Sequence, residues 1–137
     1  MSDSSKSGRG TPITAAVAAL ALLAACASPT MAPGGPGTTG DTSLGKVLTD
    51  AKGLTLYTYD KDEPGKSNCT GLCAVAWPPV TAPEGASATA GFTVIERGSG
   101  TRQWAYKGRP LYTYVFDMSP GDVKGDGDDG VWHVAKP

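Results

Sequence analysis

The sequence predicts a small, mainly β domain of antiparallel strands, built from two tandem repeats. Three observations carry that expectation. Nineteen glycines and eleven prolines in 137 residues are too many helix breakers for a helical bundle or a coiled coil. The tetrapeptide Leu-Tyr-Thr-Tyr occurs twice, at 56–59 and 111–114, an offset of 55 residues. Short runs of alternating apolar, aromatic and β-branched residues are separated by glycine-rich turns, the pattern of half-buried strands.

The first segment reads as an address. Residues 1–12 are polar and carry Lys6 and Arg9 against Asp3, and a weakly apolar run follows from Ile13 to Ala25. A positive stretch, a short apolar stretch and small residues before a cut site describe a secretory signal over 1–25. The run is too short for a spanning helix, which needs about 20 residues. It ends in Leu23-Ala24-Ala25-Cys26. Those residues resemble the bacterial lipobox, which implies a lipid such as palmitate on Cys26 and a cell-membrane or outer-membrane anchor. Residues 26–43 hold Pro, Gly, Thr and Ser with almost nothing apolar, so a flexible tether is expected there. The β domain is then expected over 44–137.

Charge narrows the partners. The formal net charge is −1 and the isoelectric point is near 5.7, whereas nucleic-acid binders present a basic face. Without Lys6, Arg9 and Asp3 the mature chain has 10 basic and 12 acidic residues. A single histidine excludes a multi-histidine metal centre.

Within the domain, repeat 1 spans about 44–80 and repeat 2 about 92–137. Strands are expected at 46–49 and 54–59, joined through the turn residues 50–53. On the second of these, Leu54, Leu56 and Thr58 share one face, and Thr55, Tyr57 and Tyr59 the other. Further strands are expected at 92–97 and 102–106 around a Gly-Ser-Gly-Thr turn, then at 111–116 and 131–134. Pro78 and Pro79 exclude helix after Trp77, leaving one short helical turn between Asn68 and Ala76.

The landmarks of the two copies point to a family. Tyr57-x-Tyr59-x-x-Asp62 and Tyr112-x-Tyr114-x-x-Asp117 share the form Tyr-x-aromatic-x-x-Asp. Cys69-Thr70-Gly71-Leu72-Cys73-Ala74 leads to Trp77-Pro78-Pro79, and the chain closes near Gly130-Val131-Trp132-His133. These residues resemble the bacterial secreted-repeat lipoproteins across essentially all of 44–137. The resemblance implies an envelope lipoprotein facing the periplasm or exterior, and it supplies no reaction.

Three residue sets could carry chemistry. Cys69 and Cys73 form an even pair in an oxidising compartment, and a disulfide there closes a small loop worth about 2 kcal/mol. The same thiols, kept reduced, could act as a redox dithiol. With His133 and the thioether of Met118 they could hold Cu(I), which favours soft ligands. In the acidic loop, Asp126, Asp128 and Asp129 offer hard oxygens for calcium but lack EF-hand spacing, and a solvated loop is the competing reading. Asp62 and Asp117 are expected to bind loop N–H groups. The rings of Tyr57, Tyr59, Trp77, Trp104, Tyr106, Tyr112, Tyr114 and Trp132 are expected to fill the core, with a ligand-stacking face as the alternative. No nucleophile elbow or metalloprotease motif occurs. The sequence therefore predicts a non-catalytic binding or structural module for an envelope protein or polymer, with copper or redox handling as the alternative.

Overall fold

The computed structural model describes residues 36–98 and 100–137, together with Gly8 and Gly10. Cys26 and, those two glycines apart, the expected leader lie outside the described residues.

Among the described residues, seven short strands, one α-helical turn and one 3-10 turn follow in order: β1 (Thr39–Thr42), β2 (Gly45–Leu48), β3 (Tyr57–Tyr59), α1 (Leu72–Ala76), β4 (Phe92–Glu96), β5 (Arg102–Tyr106), β6 (Arg109–Pro110), the 3-10 turn (Asp128–Gly130) and β7 (Trp132–Val134). They form three antiparallel sheets, ordered β1-β2, β3-β7 and β4-β5-β6. The fold is mainly β and antiparallel, as the alternation predicts. The β5–β6 turn places Lys107 at φ 48° and Gly108 at φ 81°. Two successive positive φ values match the twist of a tight hairpin, at a cost of about 1 kcal/mol for a lysine.

The copies associate about an approximate twofold. At its centre Tyr57 N–H donates to Tyr112 O at 2.8 Å and Tyr112 N–H returns a bond to Tyr57 O at 3.0 Å. Outward from there, Ala135 N–H donates to Leu56 O and Val80 N–H to Leu111 O, at 2.8 and 3.0 Å. Asp60 N–H donates to Val131 O and Val115 N–H to Ala76 O, at 2.8 and 3.1 Å. Each pair repeats at the 55-residue offset, so the duplication is structural as well as textual.

Both faces of the Leu-Tyr-Thr-Tyr segments are buried. Leu56 and Leu111 enter one core cluster with Leu48, Ala82, Trp104 and Ala135. Tyr57 and Tyr112 enter a second, with Cys69, Trp77 and Trp132. Period-2 alternation here sorts residues between two cores rather than between core and solvent.

Three expectations require correction. Part of the expected tether is β1, paired with β2 from Thr39 opposite Leu48 to Thr42 opposite Gly45. Main-chain pairing needs no apolar side chain. A Cβ on Gly37 would collide with the Thr49 and Asp50 carbonyls, so this glycine permits close approach rather than flexibility. The segments 46–49 and 54–59 form no continuous hairpin: they meet through a Thr49–Thr55 bridge and a 3.0 Å bond from Leu56 N–H to Leu48 O. The expected strand at 111–116 is reduced to bridges at Tyr112. Its partner segment contains Pro78 and Pro79, which have no N–H to donate, whereas the corresponding β3–β7 ladder pairs Tyr57 with Val134, Thr58 with His133 and Tyr59 with Trp132.

Candidate functional site

The motif residues meet across the twofold. Tyr57 donates its hydroxyl to Asp117 Oδ2 at 2.6 Å, and Tyr112 donates to Asp62 Oδ2 at 2.6 Å. Each tyrosine therefore binds the aspartate of the other copy. The second oxygen of each carboxylate receives a loop N–H, from Asn68 to Asp62 at 2.6 Å and from Lys124 to Asp117 at 3.0 Å. Burial, reinforced by the Asp117 bond, pushes the Tyr57 phenol far above its ordinary value. Burial and the Asp62 bond do the same to Tyr112. Burial also raises the Asp62 carboxyl, against the opposing pull of the Asn68 N–H, the Tyr112 hydroxyl and the Arg97 charge.

Four rings run through the interface in one pile. Tyr59 stacks on Trp132 at 4.3 Å between centroids, Trp132 on Trp77 at 3.8 Å and 4°, and Trp77 on Tyr114 at 4.2 Å. The order alternates copy 1, copy 2, copy 1, copy 2. Tyr57 and Tyr112 meet the two indoles edge-on, at 5.2 and 5.1 Å. These rings form core, while Trp104 and Tyr106 belong to the other cluster with Phe92.

Cys69 and Cys73 are joined in a disulfide, with Cα atoms 5.2 Å apart. Cys69 is fully buried in the aromatic cluster. His133 follows Trp132 on β7, so it lies on the strand face away from that cluster. Its Nε2 is 2.7 Å from Asp60 Oδ2. Met118 is 77% exposed, and its N–H donates to Asp122. The four residues of the copper set are therefore not brought together. Asp126 Oδ1 accepts the Val134 N–H at 3.0 Å, while Asp128 and Asp129 lie in the 3-10 turn Asp128–Gly130. Among the described residues no group of three or more His, Cys, Asp or Glu side chains is placed to hold a metal ion.

Arg97 is the residue that sequence reasoning missed. Its Nη1 donates to Ser67 Oγ at 2.7 Å and Gln103 Oε1 at 2.8 Å, and its Nη2 to Cys69 O at 2.6 Å. Since Tyr112 spends its proton on Asp62, Ser67 donates to the Tyr112 oxygen at 2.6 Å. Gln103 is fully buried and donates to Leu111 O at 2.8 Å. A polar relay thus runs from the end of β4 to the cysteine loop. Its only signal in the sequence is an arginine at a strand end.

A family model described as a secreted repeat of unknown function matches twice, over residues 38–81 and 93–136. The chain belongs to this secreted-repeat family. Neither curated proteins nor solved structures contain a match to it. The first matched repeat begins just before β1, in keeping with that strand being part of the fold. A secreted repeat is an envelope or extracellular domain, which fits an oxidised Cys69–Cys73 pair. Among the described residues no helix is long and apolar enough to cross a membrane.

Proposed function

We propose that this secreted repeat is a lipid-anchored, non-catalytic binding module of the bacterial cell envelope. One observation carries the non-catalytic half. The two buried tyrosines, whose phenols burial raises, and their partner carboxylates are consumed in the reciprocal Tyr57–Asp117 and Tyr112–Asp62 bonds that join the copies. A general acid or base needs an open position toward its substrate, and these groups face each other. The anchor half is supported by the Leu23-Ala24-Ala25-Cys26 sequence. From Cys26 to β1 the chain is long enough to hold the domain clear of a bilayer. Its partner is an envelope protein or polymer.

Expression of the full chain with Cys26→Ser tests the anchor. The wild-type chain partitions with membranes and incorporates labelled fatty acid, while the variant stays unprocessed or soluble and takes up no label. Equal membrane retention and equal mass in the two would overturn the anchored reading.

A further inference from the structure

A cavity of about 310 Å³ opens between β3, β7 and the β5–β6 turn. It is lined by Thr58, Tyr106, Lys107, Arg109, His133, Val134, Ala135 and Lys136. Three permanent cations and the only histidine line it, and no acidic residue does. None of the three cations is neutralised by a carboxylate among the described residues. Lys107 Nζ lies 5.1 Å from the Tyr106 ring centroid, Lys136 Nζ donates to the Leu44 carbonyl at 2.8 Å, and Arg109 forms no ion pair.

The nearby acids are already engaged. Lys107 and Arg109 also border a cleft containing Asp60, Asp62 and Glu63. Asp60 is bound to His133, Asp62 to Tyr112 and Asn68, and Glu63 to Lys66. Hydrogen bonding leaves Asp60 and Asp62 charged, so the positive character belongs to the cavity wall of Lys107, Arg109 and Lys136, inside a chain of slightly negative net charge.

The duplication provides an internal control. At the 55-residue offset, Arg109, His133 and Lys136 correspond to Leu54, Pro78 and Thr81, while Lys107 corresponds to Lys52. The backbone there is alike, since Ala135 and Val80 make equivalent bonds to Leu56 and Leu111. The fold therefore does not require the basic set. Lys107 also occupies a left-handed turn position that asparagine or glycine would fill with less strain.

We propose that this cavity binds a phosphate oxyanion, with the Arg109 guanidinium and the Lys107 and Lys136 ammonium groups as charge partners and the Thr58 hydroxyl and His133 ring at its wall. Arginine and lysine recognise phosphate through charge-assisted hydrogen bonds. This deepens the binding half of the function proposed above and is independent of the anchor, so a failed anchor leaves it untouched.

The test is a titration of the isotope-labelled full chain with inorganic phosphate at constant ionic strength, followed by amide chemical shifts. A parallel arm uses flotation with phosphatidylglycerol or phosphatidylcholine vesicles. Saturable shifts at Thr58, Lys107 and His133 are expected, weakened about tenfold or more in Arg109→Gln/Lys136→Gln and unchanged in Lys52→Gln. All substituted side chains are exposed, and unchanged thermal unfolding checks that the variants fold. Vesicle binding that requires both phosphatidylglycerol and Arg109 assigns the oxyanion to a lipid headgroup. Phosphate binding without vesicle binding assigns it to a soluble phosphorylated ligand. Absence of both, or equal loss in Lys52→Gln, overturns the proposal.

Discussion

The Tyr57 hydroxyl donates a 2.6 Å hydrogen bond to Asp117, 60 residues away in the other copy. Because Tyr112 and Asp62 make the same bond in the opposite sense, neither copy satisfies its own motif. The Tyr-x-aromatic-x-x-Asp pattern is thus a device for joining two repeats. Tyr57→Phe leaves Asp117 Oδ2 without its donor and is expected to cost about 1–3 kcal/mol. Denaturant unfolding of Tyr57→Phe, Asp117→Asn and the double variant should show strong coupling, and additive effects would refute the pairing. A fragment limited to residues 38–81 should be unfolded, since its tyrosine and tryptophan would lose their partners.

The same bonds predict alkaline sensitivity. Burial and the facing aspartates raise both phenols above their ordinary value near 10. The folded state therefore keeps protons that the unfolded chain releases. The resulting stability is fully present below about pH 10 and falls as pH rises toward the folded-state values, with a slope near 1.4 kcal/mol per pH unit for each tyrosine. Unfolding free energies measured between pH 8 and pH 11 (roughly the span set by these values) check this. In Tyr57→Phe/Tyr112→Phe the plateau should drop and that part of the slope should vanish. An unchanged slope would refute the assignment.

How far the sequence alone reaches is clearest at particular residues. The Leu-Tyr-Thr-Tyr repeat, β4, β5, β7 and the helical turn are legible because each rests on local pattern. β1 is not, because its ladder is made by backbone without apolar side chains, and Gly37 and Gly40 imitate a linker. The strand expected at 111–116 fails for the opposite reason. Its own residues are suitable, but its partner carries Pro78 and Pro79, a fact about a neighbour 30-odd residues away. The cross-copy exchange of Tyr57 and Tyr112 is a choice of partner, which repeated motifs cannot specify. Arg97 and the basic cavity depend on residues gathered from distant segments, and no spacing rule announces them.

Arg97 tests the relay to the cysteine loop. One planar guanidinium reaches Ser67, Gln103 and the Cys69 carbonyl, and a lysine ammonium cannot match that fork. Arg97→Lys should lower stability by about 1.5–3 kcal/mol, the range for hydrogen bonds to a charged group. It should also speed amide exchange around residues 67–73. Wild-type exchange there would show that the loop is held without Arg97, by the disulfide and the Asn68 bonds to Asp62 and Lys61.

The disulfide itself closes a loop with a sequence separation of 4. Chain entropy for so short a ring is worth about 2 kcal/mol. Cys69→Ser/Cys73→Ser should lose about that much, and more if the hydroxyl that replaces the buried Cys69 sulfur finds no partner. Mass spectrometry of the wild-type domain should find no free thiol at either position. A quantitative thiol titre in unreduced protein would refute the assignment and reopen Cu(I) binding.

Gly125 offers the sharpest test of how the second copy replaces the cysteine loop of the first. Its N–H donates to the Tyr57 hydroxyl at 3.3 Å, the counterpart of Ser67 donating to Tyr112. A Cβ at this position would overlap the Trp77 ring and come within 3.0 Å of Tyr114 Cδ1. Both rings belong to the stacked pile, so neither can move without disturbing its neighbours. Gly98 has nothing within 4 Å of the corresponding position. Overpacking a filled core costs about 1–3 kcal/mol, so Gly125→Ala should lose that amount and alter the near-ultraviolet signal of the stacked indoles. Gly98→Ala should leave both unchanged. If the two substitutions behave alike, the acidic loop does not pack on the ring pile, and its Asp117–Lys124, Asp126–Val134 and Gly127–Trp132 bonds hold it instead.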